Sequence, residues 1–449
     1  MSRLIVPAAV AALLERLRSA GFAAYVVGGC VRDSLRGVAP ADWDVTTAAT
    51  PEQVLALFSD CRTYGVGQRH GTVAVLTDEG GVEITTFRRE SGYSDRRHPD
   101  GVEFVRKVTE DLRRRDFTVN AMAYNDAEGL IDPFGGEADL AAGRLRCVGE
   151  AKERFQEDAL RILRGLRFAA TLGFSIEKDT AEALHQCRDL LREVAAERVA
   201  AELNRLLCGQ AAETVLREFR DVIAVVLPVL APAFDFDQRT PYHIYDVYEH
   251  TLHALSATPP DPILRWAVLL HDTGKPACCT VDENGVGHFR GHAEVSAEQT
   301  RTTLKDLRMD TATVETVTEL VLLHDRPILP TAPAVKRVLN RIGEKQLRRL
   351  FAVKRADNAA HAPGLDDRIV ELEAVEKVLD DILRQESCFS LKDLAVKGKN
   401  ITEIGVPEGP LVGQILHQLL EEVMDGRIEN DYAPLIRRAS AIFEEVNRG

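Results

Sequence analysis

The chain has 449 residues, of which 45% are hydrophobic, and this length exceeds what one hydrophobic core serves, so we expect more than one globular domain. A formal net charge of −14 excludes a protein that coats nucleic acid by bulk attraction, so contact with nucleic acid requires a local basic patch. No apolar run reaches the ~20 residues that a membrane span needs. The cysteines form no Cys-x-x-Cys pair and do not suggest a disulfide scaffold, so we expect a cytoplasmic protein.

The predicted elements change in character along the chain. In the first part, short β-rich runs alternate with helical patterns, which predicts strands at 24–27, 73–76 and 82–87 and helices at 7–20 and 51–58. From residue 150 onward, apolar residues recur at three- and four-residue intervals, which predicts helices at 151–172, 179–191, 197–207 and 263–270. We therefore predict an α+β fold in which a head with a small mixed sheet precedes all-helical segments.

Clusters of proline divide the helical part further. The predicted domains are a head at 1–148, a helical neck at 149–240, a third helical module at 241–360 and a helical tail at 361–449.

A pair of carboxylates in the head suggests phosphoryl-transfer chemistry. Asp42 and Asp44 lie two residues apart, so on a strand both would face one side and could bind Mg²⁺. Glu83, on another predicted strand, is the candidate third carboxylate, and Gly28 and Gly29 allow backbone amides to approach a polyphosphate. Each signal taken alone is more often a solvated strand or an ordinary turn.

Two further motifs carry arginines beside acidic or amide side chains. Arg114, Arg115, Asp116 and Asn120 concentrate charge-assisted donors that suit triphosphate and ribose oxygens, although an exposed charged loop would have the same composition.

The second motif places Asp158 and Arg161 three residues apart, on one face of the predicted helix. A carboxylate can accept from an exocyclic amino group while a guanidinium donates to a ring nitrogen, a pattern shared by cytosine and adenine but reversed in guanine and uracil. The alternative is an intrahelical salt bridge worth a few tenths of a kcal/mol.

These motifs in order resemble one family. The motifs at residues 28–33, 42–44, 114–121, 157–161 and 197–203, taken in this order, closely resemble those of the class II tRNA nucleotidyltransferases. This family comprises the CCA-adding enzymes and bacterial poly(A) polymerases. The resemblance implies a nucleotidyltransferase head with a five-stranded sheet, and a neck in which Asp158 and Arg161 act as an amino-acid template for CTP and ATP. Glu197 and Arg198 would brace the neck. We add Arg32, Arg164 and Arg167, which lie in the same motifs, to the predicted nucleotide-binding residues.

The predicted function is template-independent addition of C, C and A to tRNA 3′ ends from CTP and ATP. The segment 88–99 resembles the family's flexible loop, which favours CCA over CC addition, and the mixed charge of 428–449 favours CCA addition over poly(A) synthesis. The alternatives are a poly(A) polymerase and a phosphohydrolase with a nucleotide-binding head that does not polymerise. Residues 336–355 contain eight basic residues and one acidic residue, so they form either a tRNA contact or an ordinary charged helix face.

A second site is predicted in the third module, where His271 and Asp272 follow an apolar helix. Together with four further residues they resemble the HD phosphohydrolase superfamily: His250, His292, His324 and Asp357. The resemblance implies one divalent metal held by His250, His271, Asp272 and Asp357, a second near His292 and His324, and phosphodiesterase or phosphatase activity. The identity of the metal stays open, and lone histidines more often belong to a core.

Overall fold

The structure is a computed structural model that describes residues 4–64, 71–93, 99–241, 243–362, 364, 367–385 and 388–448. It contains two compact units, residues 1–231 with 306–309 and residues 232–305 with 310–449. The first unit covers the predicted head and most of the neck, and the second covers the third module and the tail. The predicted α+β class is confirmed, whereas the finer division into four domains stays a prediction.

The strands concentrate in the first unit. They are β1 (Ala24–Val27), β2 (Asp44–Thr47), β3 (Thr63–Tyr64), β4 (Thr72–Thr77), β5 (Gly80–Thr86), β6 (Arg88–Ser91), β7 (Gly101–Phe104), β8 (Ala123–Asn125), β9 (Gly129–Ile131), β10 (Arg144–Leu145) and β11 (Ser175–Ile176), followed in the second unit by β12 (Thr280–Val281) and β13 (Gly287–His288). The three strands predicted from sequence correspond to β1, β4 and β5.

The main sheet has seven strands in the order β3-β4-β5-β2-β1-β8-β9. Strands β2 and β5 run parallel, and the other neighbouring pairs are antiparallel. The expectation of five strands is therefore wrong, because the short strands β3 and β9 extend the two edges.

Both faces of this sheet are buried. Along β1, Val26 packs into one apolar core, while Tyr25 and Val27 pack into a second one with Phe87 and Leu112. This alternation follows from the two-residue period of a strand, and it explains why β1 reads as an uninterrupted apolar run.

Helices surround the sheet and continue into the neck. They are α1 (Ala8–Ser19), α2 (Gly29–Leu35), α3 (Pro51–Leu57), α4 (Val108–Arg113), α5 (Gly136–Ala141), α6 (Ala151–Glu157), α7 (Leu160–Leu172), α8 (Lys178–Cys187), α9 (Ala196–Leu207), α10 (Ala212–Glu218) and α11 (Arg220–Val226). Short 3₁₀ helices cover Thr118–Asn120, Arg188–Glu193 and Pro228–Ala233.

The helix predicted at 151–172 is in fact two helices, α6 and α7, that are separated at Asp158. The backbone of Asp158 is extended, with φ −136° and ψ 104°, and its carboxylate accepts from the backbone N–H of Leu160 at 3.1 Å. A short carboxylate side chain that satisfies a nearby backbone donor in this way competes with helical hydrogen bonding, so the helix begins again after it.

The second unit is almost entirely helical. Its helices are α12 (Val247–Ser256), α13 (Pro262–Leu270), α14 (Lys275–Cys278), α15 (His292–Asp306), α16 (Thr311–Leu323), α17 (Ala332–Ala359), α18 (Asp367–Arg384), α19 (Gly398–Glu403), α20 (Pro410–Met424) and α21 (Tyr432–Arg448). The path of α17 is broken at Gly343, where φ is 76°. The last helices pack around an apolar core of their own, which includes Ile401, Ile415, Leu419 and Leu435. Within the described residues, no helix combines the length and apolar character needed to cross a bilayer.

Gly136→Ala should destabilise the first unit. A Cβ atom at Gly136 would collide with the carbonyl oxygen of Thr118 and would lie 2.9 Å from the Met122 side chain. We expect a loss of about 1–3 kcal/mol of unfolding free energy, since the backbone must shift to relieve the overlap. Urea denaturation followed by circular dichroism measures the effect.

The matched control is Gly413→Ala in α20, where no described neighbour lies within 4 Å of the added Cβ. This change should be neutral or should stabilise by up to about 1 kcal/mol, because alanine favours helix more than glycine does. Equal destabilisation by both substitutions would contradict the packing described for Gly136.

Candidate active site and candidate metal centre

The three predicted catalytic carboxylates lie where β2 and β5 run side by side. Asp44 begins β2 and is the register partner of Glu83 in β5. The next residue of each strand, Val45 and Ile84, packs into the core on one face of the sheet, so Asp44 and Glu83 belong to the opposite face. Asp42 lies two residues before Asp44, in the segment that leads into β2.

The electrostatics of Asp44 fit a cation site. Desolvation, followed by the negative charge of Asp42 and a smaller contribution from Glu83, raises the pKa of Asp44, and nearby Arg115 opposes the shift. A cation would relieve this repulsion, and carboxylate oxygens are the hard ligands that Mg²⁺ takes. The donor set therefore fits Mg²⁺, although no cluster among the described residues with all ligand atoms within 4.8 Å includes these three side chains.

The glycine turn leaves room for an arginine. Gly28 has φ 84° and precedes α2, which begins at Gly29. A Cβ atom at Gly28 would lie 2.7 Å from Nη1 of Arg115. Glycine is required here both by the positive φ and by this close approach. Since the charge of Arg115 also acts on Asp44, the turn, the arginine and the carboxylates belong to one site.

A buried network joins α2 to α7 through the motif around Asp116. Arg32 Nη1 donates to Asn120 Oδ1 at 2.7 Å, and Asn120 Nδ2 donates to Asp116 Oδ1 at 3.3 Å. The other oxygen, Asp116 Oδ2, accepts from Arg164 Nε at 2.8 Å and from Arg164 Nη2 at 2.6 Å. Four predicted nucleotide-binding residues therefore form one continuous chain of hydrogen bonds.

The charge of Asp116 is stabilised by its arginine partners. Burial by itself raises the pKa of Asp116, but the charge and hydrogen bonds of Arg164, with a smaller contribution from Arg161, lower it to about 2. Asp116 is therefore ionised at neutral pH, and it holds Arg164 in place.

The prediction that Asp158 and Arg161 lie on one face of a single helix is wrong, and so is the alternative of a salt bridge within that helix. Asp158 lies in the junction between α6 and α7, where it accepts from Arg198 Nη2 at 3.3 Å, while Arg161 Nη1 donates to Glu157 at 2.7 Å. The cause is the helix break at Asp158, which turns its carboxylate to a partner in α9. The predicted bracing role of Arg198 accords with this contact, and Glu197 lies beside it in the first turn of α9.

Asp158 and Arg161 nevertheless line one cavity of about 220 Å³, together with four other predicted residues. Its lining consists of Arg114, Arg115, Asp116, Asp158, Arg161 and Arg164. Four guanidinium groups against two carboxylates make this cavity attractive to a polyanion such as a triphosphate. We call it the arginine cavity.

Arg167 has a different environment from the other predicted nucleotide ligands. It does not line the arginine cavity; its Nε lies 2.7 Å from Glu202 of α9, and its guanidinium packs 3.7 Å from the Phe168 ring centroid. These contacts join α7 to α9. A direct role for Arg167 in nucleotide binding stays a prediction.

Sequence reasoning missed two acidic residues that position the arginines. Asp111, which is fully buried, accepts from Arg114 Nε at 2.8 Å and from Thr46 Oγ1 of β2 at 3.2 Å. Glu157 holds Arg161, as described above. The available signal was the spacing of Asp111 and Arg114, which lie three apart at the end of a helix.

The predicted flexible loop is partly described. Its first residues form β6, which pairs with β7 just beyond the end of the predicted loop. In β6, Glu90 accepts from Arg88, Arg114 and Tyr93. The residues 94–98 lie outside the described part of the chain. The role of this segment in favouring CCA over CC addition therefore stays a prediction.

The predicted basic tRNA contact at 336–355 is partly neutralised. Arg337 pairs with Asp425, Arg348 lies 3.0 Å from Asp380, and Arg355 lies 2.7 Å from Glu376. These acidic partners reduce the positive charge that α17 offers to a phosphate backbone. A contact with tRNA at this helix stays a prediction.

The six histidine and aspartate residues predicted in the third module come together in the second unit. Ligand atoms of His250, His271, Asp272 and Asp357 all lie within 4.8 Å of one another, and so do those of Asp272, His292 and His324. Asp272 belongs to both groups. Its Oδ2 lies 3.2 Å from His271 Nε2 and its Oδ1 lies 3.4 Å from His292 Nε2. We call these six residues the histidine–aspartate cluster.

All four histidines are oriented through the backbone. The Nδ1 atoms of His250, His271, His292 and His324 lie 3.2, 2.6, 2.8 and 2.6 Å from the carbonyl oxygens of residues 360, 268, 289 and 321. An Nδ1–H that donates to a carbonyl leaves Nε2 as the free lone pair, which is the tautomer that a metal ligand needs. Within the described residues, His271 Nε2 and Asp272 Oδ1 are buried without hydrogen bonds, as expected of ligand atoms that serve a cation, while Asp272 Oδ2 pairs with Lys275.

Negative charge dominates the cluster. Burial lowers the pKa of His271, but the charges of Asp272 and Asp357 outweigh it and raise this pKa to about 10. The donor set of imidazole and carboxylate fits a divalent transition metal, which would replace the proton that the cluster otherwise holds.

A cavity of about 310 Å³ opens onto the cluster. Its wall includes the positively charged side chains of Lys275, Arg290 and Arg368, and also His243 and His361. We call it the cationic cavity. Lys275, whose Nζ lies 2.6 Å from Asp272 Oδ2, was not predicted, although it follows Asp272 by three residues.

Family models match three segments of the chain. Residues 24–146 match the poly A polymerase head domain, residues 173–234 match the RNA and SrmB-binding site of polymerase A, and residues 288–439 match domain 2 of tRNA nucleotidyltransferases.

Relatives cover nearly the whole chain. The CCA-adding enzyme of Limosilactobacillus fermentum is 34% identical over 96% of this chain and 96% of its own, and that of Levilactobacillus brevis is 35% identical over 94% and 95%. The crystal structure of the Bacillus stearothermophilus CCA-adding enzyme in complex with CTP is 29% identical, has a TM-score of 0.73 and covers 98% of each chain.

Asp116→Asn should weaken the first unit. The ion pair of Asp116 with Arg164 contributes about 2 kcal/mol at neutral pH, as the lowered pKa of the carboxyl implies. A group whose pKa is lowered by folding stabilises the protein above its unfolded pKa and loses that effect as the pH falls through its folded pKa. The stability difference between the two proteins should therefore be constant from pH 7 to about 5, and it should shrink below about pH 4.

Urea titrations across this pH range measure the difference. Asp189→Asn is the control, because Asp189 forms an exposed pair with Arg192, and its loss should change stability by less than about 0.5 kcal/mol. A difference for Asp116→Asn that grows on acidification would contradict the described ion pair.

Proposed function

The chain belongs to the family of CCA-adding tRNA nucleotidyltransferases, and from this premise we propose that it adds C, C and A in turn to the 3′ end of tRNA from CTP and ATP. The observation that carries the proposal is the arginine cavity beside the register pair of Asp44 and Glu83. Arg115 connects them, since it lines the cavity and acts on Asp44.

The chemistry is transfer of a nucleotidyl group. The 3′ hydroxyl of the tRNA forms a bond to the α-phosphorus of the nucleoside triphosphate, loses its proton, and displaces pyrophosphate as the P–O bond to the β-phosphate breaks. Mg²⁺ held by Asp42 and Asp44, with Glu83 alongside, would lower the charge repulsion between these groups.

Arginines of this chain receive the triphosphate. Arg115 Nε is buried without a hydrogen bond among the described residues, so it has a donor to offer a phosphate oxygen. Arg164 is held by Asp116, and Arg32 is held by Asn120, so both guanidiniums are oriented before the substrate arrives. Such preorganisation lowers the cost of ordering the site on binding.

In this proposal, Asp158 and Arg161 select the base of the incoming nucleotide. The carboxylate of Asp158 accepts from the exocyclic amino group, and the guanidinium of Arg161 donates to the adjacent ring nitrogen. Arg198 and Glu157 orient these two side chains. Cytosine and adenine satisfy both hydrogen bonds, whereas guanine and uracil would leave a buried donor or acceptor unpaired.

The alternatives have less support. A poly(A) polymerase would use the same head, but relatives named CCA-adding enzymes match about 96% of this chain. A head that does not polymerise would not need the intact network from Arg32 to Arg164. We propose that the enzyme is cytoplasmic, because the eight cysteines, all within the described residues, form no disulfide, which suits a reducing compartment.

Asp44→Asn should abolish CCA addition. Loss of a metal ligand removes several kcal/mol of charge stabilisation, which corresponds to about a 10³-fold lower rate. The assay supplies tRNA that lacks its 3′ CCA with CTP and ATP, separately and together, and sequences the products.

The control for Asp44→Asn is Asp78→Asn in the exposed turn between β4 and β5, which should retain the wild-type rate. Long A tails on unrelated RNA would support the poly(A) polymerase instead, and wild-type incorporation by Asp44→Asn would contradict the assigned site.

We propose a second activity for the second unit, metal-dependent hydrolysis of phosphate esters. The histidine–aspartate cluster supports it, because Asp272 belongs to both ligand groups and four histidines present Nε2 to them. A divalent transition metal in the cluster would activate water. The water oxygen bonds to phosphorus, the P–O bond to the alcohol breaks, and the alcohol leaves with the proton, while Lys275, Arg290 and Arg368 hold the phosphate.

Asp272→Asn should reduce bound transition metal and phosphate-ester hydrolysis together while CCA addition continues. Elemental analysis of the purified protein gives metal per chain, and bis(4-nitrophenyl) phosphate reports hydrolysis.

Asp282→Asn is the matched control, since Asp282 also contacts a histidine in the same unit, His288 at 3.0 Å, but lies outside the cluster. If Asp272→Asn lost CCA addition as well as phosphate-ester hydrolysis, this result would argue against two separate sites.

A further inference from the structure

The main sheet of the first unit carries exposed apolar side chains on the face that bears the catalytic carboxylates. In β4 and β5, every second residue is buried in the core below the sheet, as Val73, Val75 and Ile84 are. The residues between them belong to the opposite face, because side chains alternate along a strand. On that face Leu76 is 43% exposed and Tyr64, in β3, is 53% exposed.

The strand register connects Tyr64 to the carboxylates. Residues that are paired between neighbouring strands lie on the same face of the sheet. One such row crosses β2, β5, β4 and β3, and it consists of Asp44, Glu83, Ala74 and Tyr64. Since neighbouring strands lie ~4.8 Å apart, the backbone of Tyr64 is about 10 Å from that of Glu83. The aromatic ring therefore borders the site where the reaction takes place.

A neighbouring row adds a positive charge to this face. Leu76 follows Ala74 by two residues, and its backbone N–H donates to the carbonyl oxygen of Arg62 at 2.9 Å, which places Arg62 opposite Leu76. Arg62 is exposed, and it forms no salt bridge with another described residue. We call Arg62, Tyr64, Ala74 and Leu76 the open face. An aromatic ring beside a cation is the combination that binds single-stranded nucleic acid.

The geometry of nucleotidyl transfer requires the RNA end to approach from this side. The attacking hydroxyl and the leaving pyrophosphate lie roughly in line, on opposite sides of the α-phosphorus. Arg115, which receives the triphosphate in the proposed reaction, lies against the glycine turn that follows β1. In the sheet, β1 and β5 are the two neighbours of β2, one on each side. With the pyrophosphate toward β1, the attacking hydroxyl comes from the side of β5, β4 and β3.

We propose that the open face binds the last nucleotides of the RNA chain, with a base stacked on Tyr64 and Leu76 and a phosphate at Arg62. This inference rests on the proposed CCA addition and names the residues that hold its second substrate. The end of the chain changes with every addition. Stacking suits such an end, because every base has a π-face, whereas hydrogen bonds to base edges would discriminate between bases.

Fluorescence tests the contact without turnover. The probe is a tRNA that ends in CC and carries 2-aminopurine in place of either C, since stacking quenches the emission of this base. Binding to the wild type and to Tyr64→Phe should quench the emission at one of the two positions. In Tyr64→Ala this quenching should be lost, because the aromatic partner is gone.

Tyr432→Ala is the matched control. Tyr432, in α21, has the same side chain and nearly the same exposure, 52%, but it belongs to the second unit, so the quenching should keep its wild-type value. Unchanged quenching in Tyr64→Ala overturns the proposal and leaves the open face to another partner, such as a protein. Equal loss in Tyr64→Ala and Tyr432→Ala overturns it as well.

Steady-state kinetics separates the RNA end from the nucleotide. The KM for tRNA that ends in CC should rise about tenfold in Tyr64→Ala, while the KM for ATP stays unchanged. Arg62→Ala should also raise the KM for tRNA, and Arg62→Lys should restore it, since a phosphate needs the charge. A rise in the KM for ATP alone overturns the proposal. If the wild type adds no nucleotide, the proposed CCA addition fails, and the fluorescence titration alone decides whether the RNA end lies on the open face.

Discussion

The first unit depends on one buried carboxylate. One oxygen of Asp116 accepts from Asn120 and the other accepts from Arg164. Through Asn120 and Arg32, Asp116 therefore links the helix after the glycine turn to the helix that carries Arg161. Burying this charge would be costly without partners, and its arginines make it favourable. As a result, the residues that we propose for triphosphate binding and for base selection keep one geometry relative to each other.

In the second unit, backbone carbonyl groups orient the side chains of the site. Each cluster histidine has a carbonyl oxygen at hydrogen-bond distance from Nδ1, and three of these carbonyls lie three residues earlier in the chain. Local helical geometry therefore sets the tautomer and aims Nε2, while the packing of α12, α13, α15, α16 and α17 brings the rings together. The same packing leaves the cationic cavity open to the cluster, so the orientation of the histidine and aspartate side chains and the shape of the site have one origin.

The two sites use charge in opposite ways. The arginine cavity has more positive than negative groups and suits a polyanionic substrate, with carboxylates beside it for metal ions. The histidine–aspartate cluster concentrates negative charge, which raises the pKa of His271 to about 10. The positive side chains of this site, Lys275, Arg290 and Arg368, lie in the wall of the cationic cavity around the cluster. A triphosphate spreads negative charge over several oxygens that need positive partners, whereas the hydrolysis that we propose for the cluster needs tightly held cations and an activated water.

The sequence by itself determined the class of fold, the strands β1, β4 and β5, the approximate positions of the main helices, and many of the residues that come together at the two sites, because these follow from apolar periodicity and from motif spacing along the chain. Which side chains pair was decided only by the tertiary structure. Asp158 contacts Arg198 of another helix, since a helix break redirects it. The three-residue spacings of Asp111 from Arg114 and of Lys275 from Asp272 are compatible with a contact, but only packing shows that these side chains meet. Edge strands of two or three residues escaped prediction for the same reason: their stability comes from the neighbouring strand, not from their own sequence.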